Sequence, residues 1–437
     1  MSQTANAIAS ESNLRHELHE RLLATLDLSA ASRLGRDALV ERCRSKVEEL
    51  IDQSGRAPSA ADRARIVQGV LDDVFGYGPL EPLFADPAVS DVLVSGPDRV
   101  WVERGGRLEE STIRFRDTAH VMQVMQRIVR NAGRRIDDRN PMVDARLPDG
   151  SRVHAIIPPL ALDGPQLSIR RFPPRGLGLE RLVELGSMAP ETARLLESAV
   201  AGRLNVIFSG GAGVGKTTLL NAASAAIGAG ERVITIEDAA ELRLEGRHVI
   251  RLETRMANVE GIGAIGASEL LRNALRMRPD RIIVGECRGG EAFDMLQAMN
   301  TGHEGSMTTL HANSARDALH RLESMLAMGG FGVPVAVLRG YIGSVVDLVV
   351  HLSRLPDGRR VVSEVVEVHE ATEGQSELQI EMLHRFDLKA VRDGRVEGAF
   401  EATGATPRVL GRLKARGFEL PAAVFARGPL GTRGAGR

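Results

Sequence analysis

Several things are scarce in this chain of 437 residues. Cysteine occurs twice, at Cys43 and Cys287, far apart in sequence. A disulfide framework and a four-cysteine zinc site are thereby excluded, and two buried thiols in a reducing compartment are expected. Aromatic residues make up 3%, with Trp101 the one tryptophan, and the formal net charge is −1. That composition offers neither stacking platforms nor a basic track, so no direct nucleic-acid partner is expected. It also generates no strong field towards anionic lipid. No apolar run approaches the length of a membrane span; the longest candidate, residues 342–352, is interrupted by Asp347. Residues 1–12 are polar and lack the apolar stretch of a secretory signal. A cytoplasmic location is expected. Lysine is rare as well, confined to Lys46, Lys216, Lys389 and Lys414.

One of those lysines closes the most informative stretch. Gly210, Gly211, Ala212, Gly213, Val214, Gly215, Lys216, Thr217 and Thr218 fit G-x-x-x-x-G-K-[ST]. Glycines let the backbone curl until several N–H groups face one set of phosphate oxygens. Lys216 brings positive charge to the outer phosphates, and the Thr217 hydroxyl suits Mg²⁺. The positive end of the following helix adds to the attraction. A short apolar run (204–209) enters the loop and a helix-like run (218–223) leaves it, the context the motif requires. ATP and Mg²⁺ are the expected ligands.

At 43% hydrophobic residues the chain can build two or three cores. Residues 13–77 read as a small helical domain: Leu14, Leu18 and Leu22 share a face, as do Cys43, Val47, Leu50 and Ile51. Ser59 and Asp62 form a capping box before Val67, Val70, Leu71 and Val74. Residues 78–171 read as an α+β domain with a mostly antiparallel sheet. Arg104-Gly105-Gly106-Arg107 and Pro148-Asp149-Gly150 mark hairpins, Asp117 caps a helix, and Trp101 is expected in the core. Phe172-Pro173-Pro174-Arg175-Gly176 begins a hinge linker over 172–178. From 179 to 354 strand-like runs (205–209, 232–237, 248–252, 281–285, 306–310) alternate with helical ones, which predicts α/β architecture around a mainly parallel sheet. Residues 355–427 are patterned more weakly and read as a small C-terminal subdomain; 1–12 and 428–437 are expected to be disordered.

Two apolar runs end in acids. Residues 281–285 lead to Glu286, at the carboxyl end of a predicted parallel strand where ligands bind; its carboxylate can serve the metal beside Thr217. Residues 233–236 lead to Glu237, Asp238 and Glu241, one of which can orient and deprotonate water. His303 and His311 flank a further strand, and an imidazole N–H there can report on the γ-phosphate. Arg170 and Arg171 precede the hinge; Arg243, Arg251 and Arg255 follow the acidic turn; each suits phosphate contact, in one subunit or from a neighbour.

Residues 210–218, 235–241, 281–288 and 301–311 resemble the Walker A, Asp, Walker B and His boxes of the secretion and pilus-motor ATPases (type II/IV secretion ATPases). The strings 91–104, 275–286 and 298–311 are similar to those of the tight-adherence (Tad/Cpa, Flp pilus) assembly ATPases. The resemblance implies a RecA-like core after a PAS-like N-domain, a homo-hexamer with ATP between domains of adjacent subunits, and docking on an inner-membrane platform protein. On the matching positions it gives Lys216 and Thr217 the P-loop roles, Glu286 the metal-side acid, Glu241 the water-activating role with Glu237 as alternative, and His303 and His311 the His box. Cys287 departs from a usual small aliphatic, and the tetracysteine zinc site of type II motors is lacking. The reading that results is an ATP hydrolase driving pilus assembly from the inner face of the cell membrane. A conjugation-type secretion ATPase and a nucleotide-gated scaffold without turnover are the alternatives.

Overall fold

A computed structural model of the chain describes residues 2–25, 35–171, 177–255, 262–329, 333–370 and 377–431. The chain divides into two compact units, one ending at Pro174 and the other beginning at Arg175. Of the stretch read as a hinge, 172–178, residues 172–176 lie outside the described residues, as do 432–437 of the tail.

The first unit opens with helices α1 (Ser2–Thr25), α2 (Arg36–Gln53) and α3 (Ala60–Phe75). Residues 2–12, expected to be disordered, continue α1 instead. The leucine row of α1 packs with Cys43, Val47, Leu50 and Ile51 of α2 and Ile66, Val67, Val70 and Leu71 of α3 in one core. Ser59 caps α3, its hydroxyl accepting from the Asp62 N–H at 3.2 Å; such a cap contributes about 1 kcal/mol.

After the short helix α4 (Glu81–Ala85) come β1 (Val89–Ser95), β2 (Arg99–Arg104), β3 (Arg107–Glu110), α5 (Thr118–Asn131), β4 (Met142–Arg146), β5 (Arg152–Ile156) and β6 (Gln166–Arg170). The six strands form one antiparallel sheet in the order β3-β2-β1-β6-β5-β4. Arg104 pairs with Arg107 across Gly105 and Gly106, whose φ of 57° and 81° give the primed turn a two-residue hairpin needs. Asp117 caps α5 by accepting from the His120 N–H at 2.7 Å. The helix lays Val121, Val124, Met125, Ile128 and Val129 on the sheet. Trp101 is not in this core, contrary to expectation. Val100 and Val102 point inward, and the period-two alternation turns the residue between them to the other face, where it is half-buried. Helical and α+β segments share this one unit.

The second unit carries α6 (Leu179–Glu184), α7 (Pro190–Ala201), β7 (Val206–Gly210), α8 (Lys216–Ser224), β8 (Val233–Glu237), β9 (Val249–Glu253), α9 (Ala267–Ala274), β10 (Arg281–Val284), α10 (Glu291–Asn300), β11 (Met307–His311), α11 (Ala315–Met328), α12 (Val335–Val345), β12 (Leu348–Arg354), β13 (Arg360–His369), β14 (Gln379–Arg392), β15 (Arg395–Ala402), α13 (Leu410–Ala415) and β16 (Gly428–Pro429). The sheet order is β16-β15-β14-β13-β12-β7-β11-β10-β8-β9. From β12 to β9 the neighbours run parallel; from β12 to β16 they are antiparallel. Both faces are covered. Ile207, Ile234, Ile236, Ile282 and Val284 pack under α9–α12, whereas Val206, Phe208, Val233 and Ile283 pack under α6–α8 and α13. Burial on both faces is why these strands read as continuous apolar runs.

The apolar run 342–352 is the end of α12 and the start of β12, with Asp347 between them accepting from the Asn205 N–H at 2.8 Å. Two expectations about the end of the chain are revised. Residues from 360 on, read as a separate subdomain, add four antiparallel strands to the same sheet. The first two residues of the supposed tail, Gly428 and Pro429, form its last strand.

Candidate active site

The parallel strands bring their carboxyl ends to one edge of the sheet. β7 ends at Gly210, directly opposite His311 of β11 on one side and Leu352 of β12 on the other. Space there is tight: a Cβ on Gly210 would meet the Leu352 carbonyl oxygen at 2.5 Å. Further round the loop it is open. Gly213 and Gly215 adopt φ of 67° and 100°, which side chains resist, and a Cβ on Gly213 would meet nothing within 4 Å. Lys216 begins α8, with Thr217 half-buried and Thr218 exposed after it. Gly211 and Gly215 are half-buried, Ala212 is exposed, and Val214 packs into the core below the loop.

Lys216 is buried, and its ammonium donates to the carbonyl oxygens of Gly210 (3.1 Å) and Gly211 (2.8 Å). Burial pushes its pKa down, opposed by the charge of Glu286 and helped by that of Arg288. His311 stands between lysine and acid. Its Nδ1 is 3.5 Å from Lys216 Nζ, and its Nε2 is 2.7 Å from Glu286 Oε1. The second contact is close, yet Oε1 is buried without a hydrogen-bond partner. Desolvation and then the Lys216 charge lower the His311 pKa, against the pull of Glu286. Arg288 completes the group, donating to Glu286 Oε2 at 2.7 Å and lying 3.6 Å from Asp238.

The acidic turn after β8 is built on Glu237, which is 4% exposed. Its Oε1 accepts from the N–H groups of Glu241 (2.8 Å) and Leu242 (2.9 Å), while Oε2 is buried with no partner. Desolvation pushes Glu237 up to about 7, although those two N–H groups oppose the shift. Its stem lies against Gly285, where a Cβ would come within 2.9 Å of Cγ. Glu241 is half-buried one turn of chain away. The acidic turn and the Glu286 strand are therefore in contact.

Not every residue singled out in the sequence joins this edge. His303 lies before the amino end of β11, and His311 at its carboxyl end. The strand's five residues set its ends roughly 13 Å apart at about 3.3 Å per residue. His303 is half-buried, with Nδ1 lacking a partner. The two histidines do flank the strand as expected, but only His311 stands in the Lys216 group; His303 is removed from it, against the phosphate-side role expected of both. Arg170 and Arg171 belong to the first unit. Arg170 is exposed on β6. The Arg171 guanidinium donates to the carbonyls of Leu83 (3.1 Å), Phe84 (2.7 Å), Asp86 and Val89 (3.3 Å) and lies over the Phe84 ring. Those bonds hold α4 to the sheet, a structural task. Arg251, on the edge strand β9, does reach the acidic turn, donating to the Ala240 carbonyl at 3.3 Å and opposing the rise in the Glu237 pKa; Arg255 donates to the Gly263 carbonyl at 2.6 Å, and Arg243 is exposed.

Sequence reasoning missed His351. It is buried on β12, and its Nδ1 is 2.9 Å from the hydroxyl of Ser209, the residue before the loop. It also passed over Arg281, fully buried at the amino end of β10 and bonded to Glu231 at 2.7 and 2.8 Å. A charged residue opening an apolar run was the available signal for Arg281; nothing local marked His351.

The residues present fit Mg²⁺ and a nucleotide. Glu286 offers a buried oxygen without a hydrogen-bond partner, the Thr217 hydroxyl is the second hard oxygen donor, and the open glycine cradle faces no protein atom at Gly213. The sequence profile of the family described as type II/IV secretion system protein matches residues 74–392. A putative conjugal transfer protein of Mycobacterium tuberculosis is 42% identical over 305 residues, 68% of this chain and 86% of that protein. The conjugal transfer protein TrbB of Rhizobium radiobacter is 34% identical over 63% of this chain and 83% of its own length. The VirB11 ATPase structure from the Brucella suis type IV secretion system is 31% identical, spans 68% of this chain and 97% of that one, and superposes with a TM-score of 0.36. The chain belongs to the type II/IV secretion system protein family.

Proposed function

We propose that this chain hydrolyses ATP and passes the energy to a membrane-bound machine that assembles a tight-adherence pilus. The observation that carries the enzymatic part is the run Lys216–His311–Glu286, with contacts of 3.5 and 2.7 Å. Lys216 swings from the Gly210 and Gly211 carbonyls to the outer phosphates. Thr217 and Glu286 would hold Mg²⁺, which would supply charge neutralisation when bound. His311, kept neutral by burial and by Lys216, keeps an N–H free to move between Glu286 and the terminal phosphate. Glu241 orients and deprotonates the attacking water, and Glu237 fixes the turn through the Glu241 and Leu242 N–H groups. A scaffold that only binds nucleotide needs neither Glu241 nor Glu286.

The motor is read as a homo-hexamer docked on a platform protein at the inner face of the cell membrane. Among the described residues no helix is long and apolar enough to cross a membrane. A conjugation-type secretion ATPase is the second reading, favoured by relatives named as conjugal transfer proteins. A neighbouring prepilin gene supports the first and a relaxase gene the second. Steady-state phosphate release tests the enzyme itself: Lys216→Ala and Glu241→Gln should each abolish it, and full turnover in either refutes the assignment. Light-scattering mass on the same samples reports whether activity tracks hexamer formation.

A further inference from the structure

Away from the P-loop, the first unit contains a cavity of about 80 Å³ between α1, the end of α3 and the start of α5. A single water needs only ~10–15 Å³ by the same measure, so a compact polyatomic group fits. Four guanidinium groups line it, from Arg15, Arg114, Arg116 and Arg127, against one carboxylate, Asp73. That carboxylate is already engaged: it accepts from Arg15 Nε and Nη2, both at 2.7 Å, and lies 3.6 Å from His120 Nε2. Arg114 and Arg116 have outward partners in Glu110 (2.8 Å) and Asp117 (2.9 Å).

Arg127 is different. Its Nη1 donates to the main-chain carbonyls of Gly76 (3.1 Å) and Asp72 (3.4 Å), and among the described residues no carboxylate lies within ion-pair distance of it. Desolvation lowers its pKa, only partly offset by Asp73 and worsened by Arg130. A half-buried cation with no carboxylate at ion-pair distance, beside further guanidinium groups, gains from an anion arriving from outside. His16 and His19 add ring nitrogens to the wall, and Arg116 reaches across to His16 Nδ1 on α1.

We propose that this cavity binds a phosphate group, with Arg116 and Arg127 as its principal donors, and that the bound anion ties α1 to α5. Guanidinium forks match phosphate oxygens in pairs, which makes phosphate a better occupant than a simple halide. A divalent cation is the rival, since ligand atoms of His16, His19 and Glu20 lie within 4.8 Å of one another. The surrounding guanidinium charge and the Arg116 contact to His16 oppose it.

The test uses the full-length chain carrying Lys216→Ala, so that the P-loop does not contribute. Isothermal titration with inorganic phosphate should show one site per chain. Arg116→Gln and Arg127→Gln should each weaken it at least tenfold, with Arg127→Lys retaining part of the affinity and confirming that the unit still folds. Flotation with vesicles of phosphatidic acid in phosphatidylcholine separates the sources. Vesicle binding that inorganic phosphate competes away assigns a lipid headgroup, and phosphate heat without vesicle binding assigns a soluble phosphate. No phosphate heat in the Lys216→Ala chain, heat that survives both glutamine substitutions, or Zn²⁺ binding that those substitutions enhance overturns the proposal.

Discussion

Replacing Glu237 with glutamine turns the electrostatics of the acidic turn into a measurable pH dependence. The side chain is buried, and desolvation moves its pKa from an ordinary 4.5 up to about 7. The folded chain therefore holds this proton over a range in which the unfolded chain has released it. Where the native state binds more protons, stability falls as pH rises. The contribution is intact below about pH 4.5, declines through the interval, and is fully lost above about 7. At 1.36 kcal/mol per pH decade, the loss amounts to roughly 3 kcal/mol. Glutamine keeps an oxygen for the Glu241 and Leu242 N–H groups and cannot ionise, and its amide nitrogen takes the partnerless position of Oε2 much as the protonated acid does. The difference in unfolding free energy between Glu237→Gln and the parent should therefore rise with pH, from a baseline near pH 4.5 to roughly 3 kcal/mol above that baseline by pH 8. The one tryptophan belongs to the first unit, so denaturant unfolding is best followed by far-ultraviolet circular dichroism. A pH-independent difference, or one that grows towards acid, refutes the account of Glu237 as a carboxyl held protonated by burial.

Other perturbations separate site from scaffold. His311→Ala removes the group between Lys216 and Glu286 and should lower phosphate release about 10- to 100-fold, the usual range for groups that orient a metal ligand. His303→Ala, at the far end of the strand, should leave it within about twofold; equal losses in the two variants would refute their separation. Arg281→Met leaves Glu231 with Arg203, at 2.9 Å, and the Gly228 N–H, at 3.1 Å. Breaking such a buried pair costs about 3 kcal/mol, which lowers the melting temperature of a unit this size by roughly 6–12 °C. An unchanged melting curve would show that the pair is energetically idle.

Where an interaction spans a few residues, sequence alone was sufficient. The glycine pattern of 210–215 specifies its own backbone path, and the loop's place between a buried strand and a helix follows from it. Ser59 and Asp117 cap helices because the bonds they make reach only three residues ahead. The Gly105-Gly106 turn and the two-face burial of the parallel strands were legible for the same reason, since turn geometry and residue period are local properties. Strand order is not. His311 meets Lys216 because β11 lies between β7 and β10, and that insertion has no signature along the chain. The same order, with the parallel direction of β11, sends His303 to the opposite edge. Trp101 turned outward because pleat phase decides between neighbours of similar apolarity. Arg171 was absorbed by carbonyls more than eighty residues upstream, and Arg127 was left without a carboxylate only once α1, α3 and α5 had packed. Local chemistry determined which groups this protein carries; long-range packing decided which of them meet.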